Sequence, residues 1–269
     1  MPKPDWLKGN SPIEKRLNIV AELRRLANDP LLPLLIKIRT EYKPGSFFFT
    51  DEISRYFDAY SFYYLSLERF LPALGYSMRW EKSLRYIKGR GRKFTSNQKK
   101  LSEKYHKTRR YFEYDFFNCL LHARILMDRV AGISRIFLNS NNLPSFTSFA
   151  DHKKFFQKLA QPYGEHEEYA NYIRKNTNWF EMPLKEIRDH FLVHQGPSHM
   201  RSFGYRPEGW DMFFTAMIPK NKNNLREGSE SIVVSVPALA RDIEAFLIWF
   251  NNYGLSILSN NATEHEQKD

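Results

Sequence analysis

One amphipathic segment in the middle of the chain constrains the fold more than any other feature. Between residues 111 and 137, buried-type side chains follow one another in alternating steps of four and three. They are Phe112, Phe116, Cys119, Ala123, Leu126 and Val130. This spacing places all of them on one side of an α-helix. Such a helix needs other helices to cover its apolar side, so the pattern predicts a helical core.

The rest of the chain supports a mainly helical fold. Only 12 of the 269 residues are glycine, which favours helices over a turn-rich β-structure. A capping box at residues 11–14 predicts an N-terminal helix that extends to about residue 28. Further helices are predicted from Thr50 towards Leu71, over residues 145–159, over residues 166–180, and from Pro237 onwards. Residues 30–33 read as a connector into a short element.

A small β-hairpin is predicted near residues 211–236. The apolar, partly β-branched runs 211–218 and 231–236 flank a polar segment, whereas residues 196–210 are typical of a loop. We therefore predict a single domain over residues 1–269. It is an up-and-down helical bundle with an N-terminal helical extension and a hairpin inserted at about 205–236, before the final helix.

The charge of the chain favours a polyanionic partner. Lys and Arg outnumber Asp and Glu by 41 to 30, which makes the formal net charge +11. Many of the cations lie in residues 77–110, around a glycine-containing segment at 88–93 that reads as a loop between helices. A solvated connector is the alternative interpretation. The predicted RNA contacts are Arg85, Lys88, Arg90, Arg92, Lys93, Arg109, Arg110 and Arg201.

Cysteine usage and hydropathy indicate where the chain resides. Cys119 is the only cysteine, which excludes an intramolecular disulfide and a four-cysteine zinc site and favours a reducing compartment. Its place among the buried-type residues argues against a nucleophilic role. The N-terminus lacks the apolar region of a signal peptide, and the apolar run 31–38 is too short for a membrane span. We predict a cytoplasmic protein with no membrane partner.

The ionisable residues most suited to chemistry lie in residues 183–196, which read PLKEIRDHFLVHQG. A short helix that ends at Gly196 is predicted there, carrying Arg188, Asp189, His190 and His194. Histidine suits proton transfer near neutral pH, and arginine suits the charge that builds on phosphate during RNA cleavage. His194 lies in the last turn, where the helix dipole favours its charged form. Asp189 is predicted to orient Arg188 or a ribose, or to pair with Lys185 four residues earlier.

The spacing of the two main candidates raises a geometric difficulty. Arg188 and His194 are six positions apart, so on an ideal helix their side chains point about 120° away from each other. One straight helix therefore does not bring both onto one ligand. Either the helix unwinds at residues 195–196, or two such helices meet.

An arginine followed by an aspartate, four residues and a histidine resembles the signature of the HEPN superfamily, the higher-eukaryote and prokaryote nucleotide-binding domains. Many members of that superfamily are metal-independent ribonucleases. The resemblance implies a homodimer in which the two motif helices face each other and line a shared cleft. It also implies Arg188 and His194 as the main catalytic residues, and a toxin or anti-phage defence role with a possible antitoxin or regulatory partner. Gly196 stands where one antitoxin-paired subgroup has a tyrosine, so modification at that tyrosine is not expected.

Alternative interpretations of the motif stay open at this point. His194 shares a helical face with Ile187 and fits a buried histidine bonded to a carbonyl. His190 and His194 also have the spacing of two metal ligands, although no third ligand beyond His199 is evident. We predict no metal and no cofactor. The alternative function is a HEPN module without catalysis that binds RNA, a nucleotide or a protein partner; a purely structural bundle is a third.

Overall fold

The computed structural model describes residues 28–41, 47–88, 94–138, 144, 146–158, 166–186, 200–206, 211–219 and 229–266. Most of these residues are helical, so the prediction of a mainly α fold is confirmed. The helices are α1 (Leu32–Glu41), α2 (Phe47–Lys88), α3 (Ser96–Leu138), α4 (Phe149–Gln157), α5 (Glu167–Asn176), a π-helix (Phe180–Glu186) and α6 (Val236–Glu266). The strands are β1 (Met200–Arg206), β2 (Asp211–Pro219) and β3 (Ser229–Val234). The helix predicted over 11–28 lies outside the described residues, apart from its last position.

Backbone contacts divide the chain into two compact units. The described residues of the first unit come from Met1–Tyr64, His122–Asn178 and Asp242–Asp269. Those of the second unit come from Leu65–Leu121 and Trp179–Arg241. The long helices α2, α3 and α6 each contribute residues to both units. That the whole chain forms one domain stays a prediction.

The core of the first unit is built on α1, α3 and α6. All six predicted core residues of α3 are buried, three of them in this unit. The ring of Phe137 on α3 meets that of Phe250 on α6 edge to face, with centroids 5.0 Å apart. Gly254 on α6 lies so close to α1 that an added Cβ would be 2.7 Å from Leu34 Cδ2. These contacts show α6 packed closely on α1 and α3.

Helix α1 is formed by the apolar run that is too short to cross a membrane. The Asp29 carboxylate accepts a hydrogen bond from the Leu31 backbone N–H over 2.9 Å, next to the start of the helix. Pro33 occupies the first turn, where its missing N–H costs no intrahelical hydrogen bond. The predicted connector at 30–33 therefore ends earlier than expected, since the helix begins at Leu32.

Helix α2 is longer than its sequence predicts. The predicted end near Leu71 is wrong, because the helix continues through Pro72 to Lys88. A proline inside a helix removes one backbone hydrogen bond and costs about 3 kcal/mol. Burial of Phe70, Leu74 and Trp80 on either side of Pro72 holds the helix together, since most helical stability in proteins comes from packing.

Helix α3 begins well before the predicted residue 111. The Thr95 hydroxyl accepts from the Gln98 N–H over 3.3 Å, and the Gln98 side chain accepts from the Thr95 N–H over 2.8 Å. This reciprocal capping box starts the helix at Ser96. Much of the basic stretch 77–110 is therefore helical, not a connector. Of the segment 88–93 that was predicted as a loop, Lys88 ends α2 and the rest lies outside the described residues.

The remaining predicted helices are found close to their expected bounds. Helix α4 lies within the predicted 145–159, with Phe149 and Phe156 buried and Phe155 half-buried; Leu159 lies outside the described residues. Helix α6 begins at Val236, where the Ser235 hydroxyl accepts from the Ala238 N–H over 3.2 Å. All five residues predicted to face inward from α6 are buried, namely Leu239, Ile243, Phe246, Leu247 and Phe250.

The predicted hairpin is present, and a third strand extends it. Strands β2 and β3 pair antiparallel, with Phe214 opposite Val234. The loop predicted over 196–210 is wrong for Met200–Arg206, which forms β1 and pairs antiparallel with the other edge of β2. Glycines and prolines near this segment suggest a loop, but the open edge of β2 supplies backbone partners that local sequence does not reveal. In the described parts of the chain, no helix is both long and apolar enough to cross a bilayer.

Candidate nucleic-acid interface

The motif residues Arg188, Asp189, His190 and His194 lie within 187–199, outside the described residues. The described part of the predicted motif helix is its start, which belongs to the π-helix Phe180–Glu186 instead of an α-helix. Single π-turns occur frequently at functional sites. Phe180 and Leu184 are buried, and Lys185 Nζ lies 3.3 Å from Glu181 Oε2. The π-helix that directly precedes the motif is therefore packed, with two fully buried side chains.

The segments on both sides of the motif belong to the second unit. The π-helix precedes residues 187–199 and β1 follows them, and both fall in the same unit as residues 65–121. That unit also contains the described part of the basic stretch. The candidate interface accordingly lies within the second unit.

Five of the eight predicted RNA-binding cations have a described backbone position. Arg85 and Lys88 lie near the end of α2, and Arg109 and Arg110 lie on α3. Arg201 lies on β1, opposite Ala216 of β2. Arg90, Arg92 and Lys93 lie outside the described residues. The backbone thus places these five on three elements of one unit.

An aromatic cluster joins the end of α2 to the start of α3. The Trp80 side chain is buried, and its ring stacks on that of Phe94 at 5.6 Å and on that of Tyr105 at 5.9 Å between centroids. His106 meets the same indole edge-on at 6.2 Å. Phe94 is 42% exposed and so forms the outer side of the cluster. This packing holds the first turns of α3 against α2.

The outward side of α3 carries a row of cations followed by aromatic rings. Its members are Lys100, Lys104, Lys107, Tyr111 and Tyr114, which we name the Lys–Tyr stripe. They are spaced by four, three, four and three residues and therefore share one face of the helix. All five are exposed, and the two tyrosines are 58% and 61% exposed. None of them is among the sites predicted from sequence.

The signal for the Lys–Tyr stripe is present in the sequence but is masked by its surroundings. The periodicity of four and three that marks the buried side of α3 recurs on the opposite side with lysines and tyrosines. Arg109 and Arg110 lie between Lys107 and Tyr111, so the segment reads as a run of charges and not as one face of a helix. The burial of Tyr105 and Phe112 shows which side of α3 faces the core, and only then can its outward side be identified.

Other charges around the stripe are mostly positive. Arg79 on α2 and Lys99 on α3 are exposed. Lys104 Nζ lies 5.8 Å from the centroid of the Tyr76 ring, a cation–π arrangement that keeps the ammonium accessible to solvent. Residues 96–107 contain four lysines and a single acid, Glu103. The surface therefore attracts anions over about 8 Å at physiological salt.

The second unit also contains a buried carboxyl group and the buried thiol. Arg69 Nη2 lies 2.9 Å from Asp115 Oδ1. Burial raises the pKa of Asp115, and the Arg69 guanidinium opposes that rise. Burial, assisted by the nearby Asp115 carboxyl, raises the pKa of the Cys119 thiol well above its usual range. Cys119 is 2% exposed, so the thiol is protonated and shielded, in line with its predicted structural role.

His122 lies on α3 in the first unit. Its ring stacks on that of Phe62 with 5.5 Å between centroids. Burial lowers the pKa of His122, which favours the neutral imidazole. A neutral ring stacked on phenylalanine has no phosphate-binding charge, so we assign it no place in the interface.

The described residues therefore supply a cationic and aromatic surface, while the motif expected to perform chemistry lies beyond them. The surface has the two components that nucleic-acid binding uses, charge for phosphates and rings for bases. No family model, no curated protein and no solved structure matches this chain.

Proposed function

We propose that the protein is a metal-independent endoribonuclease of the HEPN type that acts as a toxin or anti-phage defence effector. The second unit would hold RNA on its basic side, and the Arg188–His194 segment would cut it. The observation that best supports this proposal is the exposed lysine and tyrosine face of α3. It belongs to the same unit as the π-helix and β1, the segments that precede and follow the motif.

The proposed reaction uses the ribose 2′-hydroxyl as the nucleophile. His194 takes the proton from that hydroxyl, and the oxygen attacks the adjacent phosphorus. Arg188 stabilises the negative charge that develops on the phosphate oxygens. A second His194, supplied by the other copy in a homodimer, gives a proton to the departing 5′-oxygen. The products are a 2′,3′-cyclic phosphate and a free 5′-hydroxyl, with Asp189 and His190 as supporting groups.

The test is RNA cleavage in the presence of EDTA. The parent protein, Arg188→Ala, His194→Ala and His199→Ala are incubated with structured and unstructured RNA. His199→Ala is the matched control, because it removes a nearby histidine that the proposed reaction does not use. We expect cyclic-phosphate ends from the parent and the control, and loss of cleavage in the other two. Equal cleavage by His194→Ala and the parent would overturn the assignment.

The alternative is a module that binds RNA without cutting it. The same surface supports this alternative as well, because lysines contact phosphates and tyrosines stack on bases without any cleavage chemistry. RNA binding by both the parent and His194→Ala, with cleavage by neither, would support it. Absence of RNA affinity at low salt would instead support a structural or protein-binding role.

A further inference from the structure

We propose that the Lys–Tyr stripe is a docking site for an unpaired RNA strand. In this arrangement Lys100, Lys104 and Lys107 contact successive phosphates, and Tyr111 and Tyr114 stack on bases. The inference rests on the proposed function in one respect, that the ligand is RNA. It adds the site that holds the strand and the end of the stripe at which bases are bound.

The geometry of α3 supports one continuous strand path. With a rise of 1.5 Å per residue, the three lysines span about 10 Å and the whole stripe about 21 Å. The lysines occupy the end nearest the helix start, and the tyrosines follow on the same face. The path therefore has a direction, with phosphate contacts at one end and base contacts at the other.

The exposure of the tyrosines points to a ligand with flat apolar faces. A surface tyrosine normally lays much of its ring against neighbouring side chains, but Tyr111 and Tyr114 are 58% and 61% exposed on adjacent turns. The buried rings of α3, such as Tyr105 and Phe112, show that the helix has core positions for aromatics and that these two are not among them. Each exposed ring can gain a stacking contact with a base.

The pairing state of the RNA follows from the chemistry of stacking. In a duplex the faces of the bases are covered by their neighbours, so an exposed ring finds no free partner. In an unpaired strand every base has a free face, which makes stacking tolerant of sequence. Lysine is a point charge that binds phosphate without reading a base. The stripe should therefore prefer unpaired strands and show little base specificity.

The experiment measures binding by fluorescence anisotropy, with His194→Ala as the parental background so that the RNA stays intact. The probes are a mixed-sequence single strand, the matching duplex, and an abasic strand of equal charge. Tyr111→Ala/Tyr114→Ala should weaken binding of the single strand by about 5- to 150-fold for each base that loses its ring. The affinity for the abasic strand should stay unchanged, because that strand has no bases to stack on the rings. Tyr111→Phe/Tyr114→Phe keeps both rings and should bind like the background protein.

A charge-matched pair of variants distinguishes the effect of the stripe lysines on binding from the effect of net charge. Replacing Lys100, Lys104 and Lys107 with Ala should weaken binding of all three probes and reduce the slope of log affinity against log salt by about 2. Replacing Lys154, Lys158 and Lys175 with Ala removes the same charge from exposed positions in the first unit and should have little effect. Circular dichroism verifies that each variant is folded.

Two results would overturn the docking site. One is equal binding of the single strand by the tyrosine-to-alanine variant and the background protein; the other is tighter binding of the duplex than of the single strand. If the unmodified protein still cleaves RNA in either case, only the docking site fails. If the unmodified protein neither binds nor cleaves RNA at low salt, the proposed function fails as well, and a protein ligand such as an acidic surface becomes the better assignment.

Discussion

The Tyr56 hydroxyl donates a hydrogen bond to Asp29 Oδ1 over 2.7 Å, and both side chains are buried in the first unit. The same oxygen accepts the Leu31 N–H, whereas Oδ2 has no hydrogen-bond partner in the part of the chain that the structure describes. Burial raises the pKa of Asp29 to about 6, although both hydrogen bonds oppose the rise. The hydrogen bond links α2 to the turn before α1. The two hydrogen bonds to Oδ1 offset only part of the free-energy cost of burying the carboxyl group.

This carboxyl group should make the unfolding free energy depend on pH. The folded chain holds the Asp29 proton more tightly than the unfolded chain, whose pKa is near 3.8. The stabilisation is therefore present below pH 4 and is lost as the pH rises through 6. The difference in pKa corresponds to about 3 kcal/mol. Urea denaturation of the parent and Asp29→Asn should show the parent losing about this much relative to the variant between pH 4 and pH 7. Parallel pH curves for the two proteins would contradict the prediction.

His152 should produce a pH dependence of the opposite sign. It is fully buried among the rings of Phe146, Phe149, Phe156 and Tyr169, and its Nε2 lies 2.9 Å from the Tyr169 hydroxyl. Burial lowers its pKa to about 3. The unfolded chain takes up this proton near pH 6.5 and the folded chain does not, so stability falls as the pH drops below 6.5.

The corresponding measurement compares the parent with His152→Phe. At pH 7 the variant should be destabilised by about 1 kcal/mol, because the Tyr169 hydroxyl loses a hydrogen-bond partner. Between pH 7 and pH 4 the parent should lose about 3 kcal/mol relative to the variant, which has no imidazole to protonate. A difference between the two proteins that stays constant over this range would show that the buried histidine does not resist protonation.

Two helical glycines should respond in opposite directions to the same substitution. In Gly254→Ala the added Cβ would meet Leu34 Cδ2 at 2.7 Å and Phe137 Cδ1 at 3.2 Å, so we expect a loss of about 1–3 kcal/mol from crowding. In Gly75→Ala the Cβ would meet nothing within 4 Å, so the lower backbone entropy of alanine should stabilise α2 by about 0.5–1 kcal/mol. Thermal unfolding of both variants tests the pair, and a Gly254→Ala protein at least as stable as the parent would refute the close approach of α1 and α6.

The thiol of Cys119 should react only when its surroundings open. It is buried, and its raised pKa keeps it protonated at pH 8. A thiol-specific reagent should label the folded protein slowly and the urea-unfolded protein rapidly and completely. Cys119→Ala should retain the RNA affinity and cleavage of the parent. Rapid labelling of the folded protein would place the thiol in an accessible site and contradict its structural role.

Several features of the fold could be read from local patterns because local physics controls them. The apolar spacing on α3 identified its buried residues, since one helix face must leave water wherever its partners lie. Pro237 marked the start of α6 within one residue, because its fixed φ and missing N–H suit the first turn. The β2–β3 pairing followed from two β-branched runs separated by a polar segment.

Other features depended on contacts between segments distant in sequence. Pro72 suggests the end of a helix, yet packing of Trp80 and Phe70 outweighs its cost and carries α2 to Lys88. Residues 200–206 have a sequence typical of a loop, yet they pair with the edge of β2 and form a strand. The Lys–Tyr stripe likewise became visible only when the burial of Tyr105 and Phe112 defined which side of α3 faces solvent.

The sequence by itself determined the helical class, the buried side of α3 and the position of the hairpin. The tertiary structure decided how far α2 extends, that β1 exists and which lysines and tyrosines of α3 remain outside. The reason is physical: periodicity and capping act over a few residues, whereas exposure and strand pairing depend on which partners the rest of the chain brings to each surface.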